Sequence, residues 1–316
     1  MRILLLNPNQ IERYNWGHQL FKNEFGRQHD VVYYGQGFSG FDPKLTVPQI
    51  LKKLNKPFDI ILTYEIKYSR NFKGLGTITN IPKVHIQIDY KTQREIQLPK
   101  EFQGFSFHEN LDKYFHQNKY DLIFAFVTRI VEDLKANLKM EKVYFLPFCV
   151  DINKYKNLNL KKDIDVMASF TTIPFFYPDR LKIHELIQNL GVKTFIKKVT
   201  RNDYIKTINR SKIFVNAGGL WKSLTMKFSE VLGCGTFFLT DKPRDFEKEG
   251  FIDGKHLVLY ENLKDLEDKI KYYLEHDVER ERIAKQGMEF VRENHSCAVR
   301  VKQFTEIVKK EFNIRS

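Results

Sequence analysis

The chain lacks most of what marks the specialised classes of protein. No run approaches the ~18 uninterrupted apolar residues of a membrane span, and the opening MRILLLNPN turns polar too soon to be a signal peptide's apolar core. A cytoplasmic location is the simplest expectation. Cysteine is scarce: Cys149, Cys234 and Cys297 stand far apart without C-x-x-C spacing, which predicts reduced, structural thiols rather than metal ligands or a nucleophile. The first apolar run continues as RILLLNPNQIERYNWG, with no G-x-G-x-x-G, which argues against a nicotinamide-dependent enzyme. Low-complexity segments, sequence repeats and long blocks of like charge are also missing.

What is present is ordinary for a folded protein. The 316 residues are 42% hydrophobic and 29% charged, a balance that leaves no reason for long disorder. A single core stops growing near ~250 to 300 residues, so two domains of similar size are expected. The formal net charge of +13 favours phosphate-bearing or polyanionic partners, but scattered charge does not separate nucleic acid, an anionic membrane surface and a phosphorylated small molecule. Aromatic residues make up 14% and fall mostly within strand or amphipathic-helix patterns. They read as core, so no stacking platform for nucleic acid is needed to explain them.

Short apolar runs alternate with helical patterns along most of the chain. In the first half, strands are predicted at 2–6, 30–34, 59–63, 83–88, 121–126 and 142–146, with helices at about 16–27, 46–54 and 128–138. After LPFCVDINKY the pattern restarts: strands in DIDVMASF, VKTFIK and KIFVNA, and helices at about 179–190 and 202–209. From Asn262 onward the text is helical, and Phe304, Ile307, Val308 and Phe312 make one apolar face on the last helix. Apolar runs buried on both faces and joined by helices imply parallel sheets with right-handed crossovers. The expectation is α/β, with a Rossmann-like domain at 1–150, a second at 151–295 and a C-terminal crossover helix at 296–316.

The stretch MKFSEVLGCGTFFLTD (226–241) carries the most chemistry. A helix from about Leu224 to Leu232 would bury Leu224, Phe228, Val231 and Leu232 on one face and align Ser223, Lys227 and Glu230 beside it. NAGGLWKS precedes it, so Gly218 and Gly219 lead to a helix N-terminus whose unpaired amides suit a phosphate. Lys222 and Lys227 add charge, and Glu230 lies one turn further, within reach of a sugar hydroxyl attached to that phosphate. A Lys227–Glu230 pair on a solvated face is the plain alternative. Arg180, after SFTTIPFFYPDR, can reach a diphosphate or pair at the surface with Asp179 or Glu185. Gly17, in the loop after the first strand, can admit phosphate or acceptor, or belong to a simple helix cap. Cys234 reads as a small buried filler, and His85, His295 and Arg300 as structural.

KFSEVLGCGTFFLTD, with the upstream DYIKTINRSKIFVNAGG and the text running on to HSCAVR, resembles the C-terminal domain of group 1 glycosyltransferases, especially the spore maturation protein-like subgroup. The likeness covers about 203–300; the first 150 residues match in layout only. The resemblance implies a GT-B fold of two Rossmann-like domains facing across a cleft, with the last helix packing back toward the N-terminal domain. It implies a hexosyltransferase-type enzyme that takes a UDP- or GDP-linked sugar in the C-terminal domain. The acceptor, in glycan, glycolipid or glycoprotein synthesis, would sit on the N-terminal side, and a lipid-phosphate acceptor would suit the basic surface through peripheral contact at the inner membrane face. Glu230 would bind the ribose; Lys227 and Lys222 would contact the diphosphate. Many retaining relatives carry a Glu where this chain has Lys222, so retention does not follow. No cofactor and no metal is implied, since basic residues and helix dipoles neutralise the leaving diphosphate, and the DID at 163–165 runs straight into an apolar strand. If the reaction inverts, it needs a base: Asp89 is the first candidate and Glu65 the second, each at a strand's C-terminal end, where an acid can equally cap a helix.

Overall fold

The computed structural model describes residues 1–9, 16–88, 111–199, 201–219 and 222–315; Asp89 lies outside them. The described residues of Met1–Ile11, Asn23–Pro147 and Lys302–Ser316 form one compact unit, and those of Glu12–Lys22 and Phe148–Val301 a second.

In the first unit the strands are β1 (Arg2–Leu6), β2 (Asp30–Tyr34), β3 (Ile60–Tyr64), β4 (Lys83–Gln87), β5 (Leu122–Ala125) and β6 (Val143–Phe145). They make one sheet in the order β2-β1-β3-β4-β5-β6, parallel throughout. Its helices are α2 (Val47–Leu54), α3 (Ile66–Ser69), α4 (Leu111–Asn118) and α5 (Thr128–Leu138), together with the part of α1 (Trp16–Gln28) from Asn23 onward; the start of α1 groups with the second unit. The near-continuous apolar strands are buried on both faces, as parallel sheets require. The aspartates read as first strand residues at 59 and 121 lie one position earlier. Each turns its carboxylate to the amide that opens the neighbouring strand, Asp59 to Arg2 and Asp121 to Lys83, both at 2.7 Å.

The second unit holds β7 (Ile164–Ala168), β8 (Thr194–Ile196), β9 (Ser211–Asn216), β10 (Phe237–Asp241) and β11 (Val258–Tyr260), in the order β11-β10-β9-β7-β8, again parallel. Its helices are α6 (Arg180–Gln188), α7 (Arg201–Arg210), α8 (Met226–Gly233), α9 (Leu263–Glu275) and α10 (Asp277–Asn294). The final helix α11 (Cys297–Phe312) starts in this unit, while its residues from Lys302 group with the first. There Phe304 packs edge-on against Phe25 and obliquely against Phe124, with ring centroids 4.9 and 4.7 Å away.

The α8 segment starts two residues later than its periodicity predicts. Lys222 adopts a left-handed backbone, φ 48°, and Thr225 is extended at the N-cap, so Lys222, Ser223 and Leu224 precede the helix. Leu224 is buried all the same, in the cluster that holds Phe228, Val231 and Leu232. After α8 the left-handed residue is Gly235, φ 70°, where a side chain would be strained.

Candidate functional site

In the second sheet β8 lies on one side of β7 and β9 to β11 on the other, so the winding reverses between β7 and β9. Open α/β sheets hold ligands beyond the C-terminal strand ends at such a point. Arg180 occupies it. Its Nε and Nη2 donate to the Ala217 carbonyl at 2.9 and 2.7 Å, and Nη1 to that of Thr171 at 2.8 Å. The guanidinium carbon also lies 3.6 Å from the Tyr177 ring centroid. Arg180 is therefore not the surface partner of Asp179 or Glu185. It is buried and ties the loop after β7 to the loop after β9, and burial lowers its pKa.

The two glycines that follow Ala217 are needed for space. A Cβ on Gly218 would stand 2.9 Å from Asp241 Oδ2, and one on Gly219 would stand 2.7 Å from Tyr177 Cε1. The Gly218 amide donates to Asp241 Oδ1 at 2.6 Å and the Lys222 ammonium to Oδ2 at 2.7 Å. Lys222 is thus an ion-paired loop residue, and its carbonyl accepts the Arg244 amide at 2.7 Å.

Helix α8 enters next. Thr225 Oγ1 is buried without a hydrogen-bond partner and makes no side-chain cap, and the first-turn amides of any helix have no intrahelical acceptor. Lys227 is half-buried. Its ammonium lies 5.1 Å from the Tyr204 ring centroid and 5.7 Å from that of Phe214, and donates to the Tyr204 hydroxyl at 3.3 Å. Burial pulls its pKa down to about 8; Glu230 opposes that, and Arg180 and Lys198 add to it. Glu230 is 8% exposed, which excludes a solvated-face pair with Lys227. Its Oε1 accepts from the Tyr155 hydroxyl at 3.0 Å, and Tyr204 lies near enough to act on its charge. Burial raises the Glu230 pKa, while Lys227 and the two tyrosines hold it back. Burial and the facing carboxylate keep both tyrosine hydroxyls protonated. The result is two hydrogen-bonded pairs, Lys227 with Tyr204 and Tyr155 with Glu230, coupled by the opposite charges of Lys227 and Glu230, with two further cations near the basic end.

The remaining candidates lie elsewhere. Glu65 belongs to the first unit, where the winding reverses between β1 and β3. Its backbone is strained, φ 56° and ψ 130°, a state that costs ~1–3 kcal/mol and is found at functional sites. Its Oε1 accepts from the Ile88 amide at 2.5 Å and from Gln87 Nε2 at 3.3 Å, and Gln87 Oε1 lies 2.9 Å from His85 Nε2. Gly17 stands in the first turn of α1. Cys234 is buried, and burial raises its thiol pKa, as suits a filler. Asp163 pairs with Arg210 at 2.6 Å and Asp165 with Lys212 at 2.8 Å. Among the described residues no group of His, Cys, Asp and Glu is placed to hold a metal.

Sequence reasoning missed Tyr155, Tyr204, Asp241 and Lys198. Tyr155 is 75 positions from Glu230, and no local spacing reveals such a pair. Asp241 had a signal: it ends an apolar strand at the edge where ligands bind.

Residues 163–306 match the family model described as glycosyl transferase-like. No curated protein matches the chain. Among solved structures, a sucrose-phosphate synthase from Thermosynechococcus elongatus is 12% identical with TM-score 0.65, covering 99% of both chains. An alpha-glucosyltransferase in complex with UDP-glucose and DNA containing an abasic site is 14% identical with TM-score 0.67, covering 98% of this chain and 99% of its own. The Anabaena protein HepE in complex with UDP-glucose is 14% identical with TM-score 0.65, covering 98% and 100%. The fold is GT-B, two Rossmann-like units each built on a parallel sheet. Its second unit carries the glycosyl transferase-like match, which spans Arg180, Lys222, Lys227 and Glu230.

Proposed function

We infer that the protein is a glycosyltransferase that moves a sugar from a nucleotide-sugar donor to an acceptor hydroxyl. The observation that carries this reading is the pair Lys227 and Glu230 on α8, with the Lys227 ammonium on the Tyr204 hydroxyl of α7 and the buried Glu230 carboxylate on the Tyr155 hydroxyl. It pairs a cationic end suited to a diphosphate with a carboxylate suited to a ribose, one helical turn apart. The glycosyl transferase-like match over the same residues supports it, as do structural neighbours whose complexes contain UDP-glucose. A uridine donor is the first to test and a guanosine donor the second.

As the donor's glycosidic bond breaks, negative charge grows on the diphosphate. Lys227 and the N-terminus of α8 would stabilise it, with Lys198 adding field, so no metal or other cofactor is needed. Gly218 and Gly219 let the chain pass close to Asp241 and Tyr177, and Arg180 holds the loops that shape the site; both roles support the donor indirectly. Lys222 would contribute only by leaving Asp241. Gly17 would admit donor phosphate or acceptor. If the anomeric centre inverts, Glu65 or Asp89 would take the acceptor's proton. We further assign the chain to the spore maturation protein-like subgroup on the text of 203–300, with a glycan or lipid-linked acceptor and a cytoplasmic, peripheral membrane location. No helix among the described residues is long and apolar enough to cross a membrane.

The test is a panel of nucleotide sugars incubated with the protein, with released nucleoside diphosphate measured. Release from one donor class, abolished in Glu230→Ala, is the expected result. No release from any donor, with or without an acceptor mixture, would overturn the reading.

A further inference from the structure

The geometry points to Tyr155 as a positioning residue of the donor site, whose hydroxyl, with that of Tyr204, orients the Glu230 carboxylate so that its free lone pairs meet the vicinal hydroxyls of a ribose. This rests on the donor reading above. An ionised carboxylate has about four acceptor positions. Tyr155 occupies one on Oε1 at 3.0 Å, and Tyr204 stands near the same carboxylate. About three remain, enough for the two hydroxyls of a ribose diol.

The arrangement is built rather than incidental. Tyr155 is 3% exposed and packed in the core cluster that holds Phe228, Val231 and Leu232 of α8. Its amide donates to the Asp151 carbonyl at 2.9 Å, and its own carbonyl would lie 3.1 Å from a Cβ on Gly233, so the segment is pressed against the end of α8. Neither tyrosine can act as a base, because the facing carboxylate disfavours a phenolate. The Tyr155 hydroxyl is therefore an obligatory donor to Glu230. Tyr204 also accepts from Lys227 at 3.3 Å, so the carboxylate's orientation is tied to the ammonium that would hold the diphosphate.

The experiment measures affinity for whichever of UDP and GDP binds more tightly, and for its 2′-deoxy form, in wild type, Tyr155→Phe, Tyr204→Phe and Glu230→Ala. Wild type should prefer the ribonucleotide by about tenfold or more, the worth of a hydrogen bond to a charged group. Tyr155→Phe keeps the packed ring and should reduce that preference to about threefold or less, chiefly by weakening the ribonucleotide, with kcat changed less than donor KM. Tyr204→Phe should act in the same direction. A purely structural role would weaken both nucleotides equally. Both phenylalanine variants keeping the wild-type preference, or losing affinity without losing discrimination, would overturn the proposal. A wild type with no ribose preference, or one unaffected by Glu230→Ala, would instead overturn the donor reading itself.

Discussion

Asp241 holds Lys222: the ammonium lies 2.7 Å from Oδ2, while Oδ1 takes the Gly218 amide at 2.6 Å. The carboxylate that ends β10 thereby fixes both ends of the loop from Gly218 to Lys222. Lys222 is 55% exposed at its side chain, so the ion pair alone is worth at most ~1 kcal/mol. The amide bond to a charged acceptor adds ~1.5–3 kcal/mol. Asp241→Asn is therefore expected to lower stability by roughly 1–3 kcal/mol and Lys222→Ala by much less, in chemical denaturation. Equal losses would mean that the ion pair, not the amide, organises the loop.

Arg180 and Lys227 should separate cleanly. Arg180 donates to two backbone carbonyls from a buried position, and removing it strands both acceptors. Arg180→Ala should cost roughly 2–4 kcal/mol, each stranded group costing ~1–3. Lys227→Ala should cost little stability and most of the nucleotide affinity. The check is a denaturation curve beside a binding isotherm for each variant; an undisturbed Arg180→Ala would refute the strut.

Lys227 and Glu230, shifted in opposite directions by burial, should cost stability at neutral pH. Lys227 is lowered from 10.5 to about 8 in the folded protein, so the unfolded chain binds more protons between those values. This group's penalty is full below about 8 and is relieved as pH rises from about 8 to 10.5. Glu230 is shifted the other way, so its penalty is full above its raised value and relieved as pH falls below it. The double variant Lys227→Met, Glu230→Gln should be as stable as wild type or more so without nucleotide at pH 7, and should not be stabilised by nucleoside diphosphate. Thermal melts with and without UDP and GDP decide this.

Nucleotide binding should follow the same groups. Diphosphate affinity should fall as pH rises through about 8, where Lys227 loses its charge, and fall again in acid above the ordinary glutamate range as Glu230 protonates. The two groups interact, so the limbs belong to the Lys227–Glu230 pair. Binding near pH 8 should take up protons, seen as a dependence of calorimetric heat on buffer ionisation enthalpy. A flat profile from pH 6 to 9 would contradict the role of Lys227.

Glu65 offers a separate test on the first unit. Glu65→Gln keeps the side-chain shape; if Glu65 is the base, it should lower turnover by ~10²–10⁴-fold and leave nucleotide affinity within about twofold. Unchanged turnover would leave Asp89 as the base to test.

Much of this was legible in the sequence. Runs such as RILLL and FFLTD announce parallel strands because burial on both faces leaves them no polar alternation, and each run lies in a parallel sheet. The face of Phe228, Val231 and Leu232 was also readable, since helical spacing determines it. The start of α8 was not: Lys222 adopts φ 48° because Asp241 and Arg244 hold it there, a tertiary constraint that no local periodicity carries. The burial of Glu230 was hidden for the same reason. Its partner Tyr155 comes from a loop whose sequence shows only Asn-Lys-Tyr. The surface pairing open to Arg180 in the sequence does not form, because its partners are backbone carbonyls distant in the chain, which no spacing reveals.

Lys227 and Glu230, on this reading, hold the diphosphate and ribose of a nucleotide-sugar donor. Isothermal titration calorimetry of UDP and GDP against wild type, Lys227→Ala and Glu230→Ala tests it most directly. One nucleotide should bind wild type, and each substitution should weaken it by about tenfold or more. Wild-type indifference to both nucleotides, or variants that bind as wild type does, would contradict that reading.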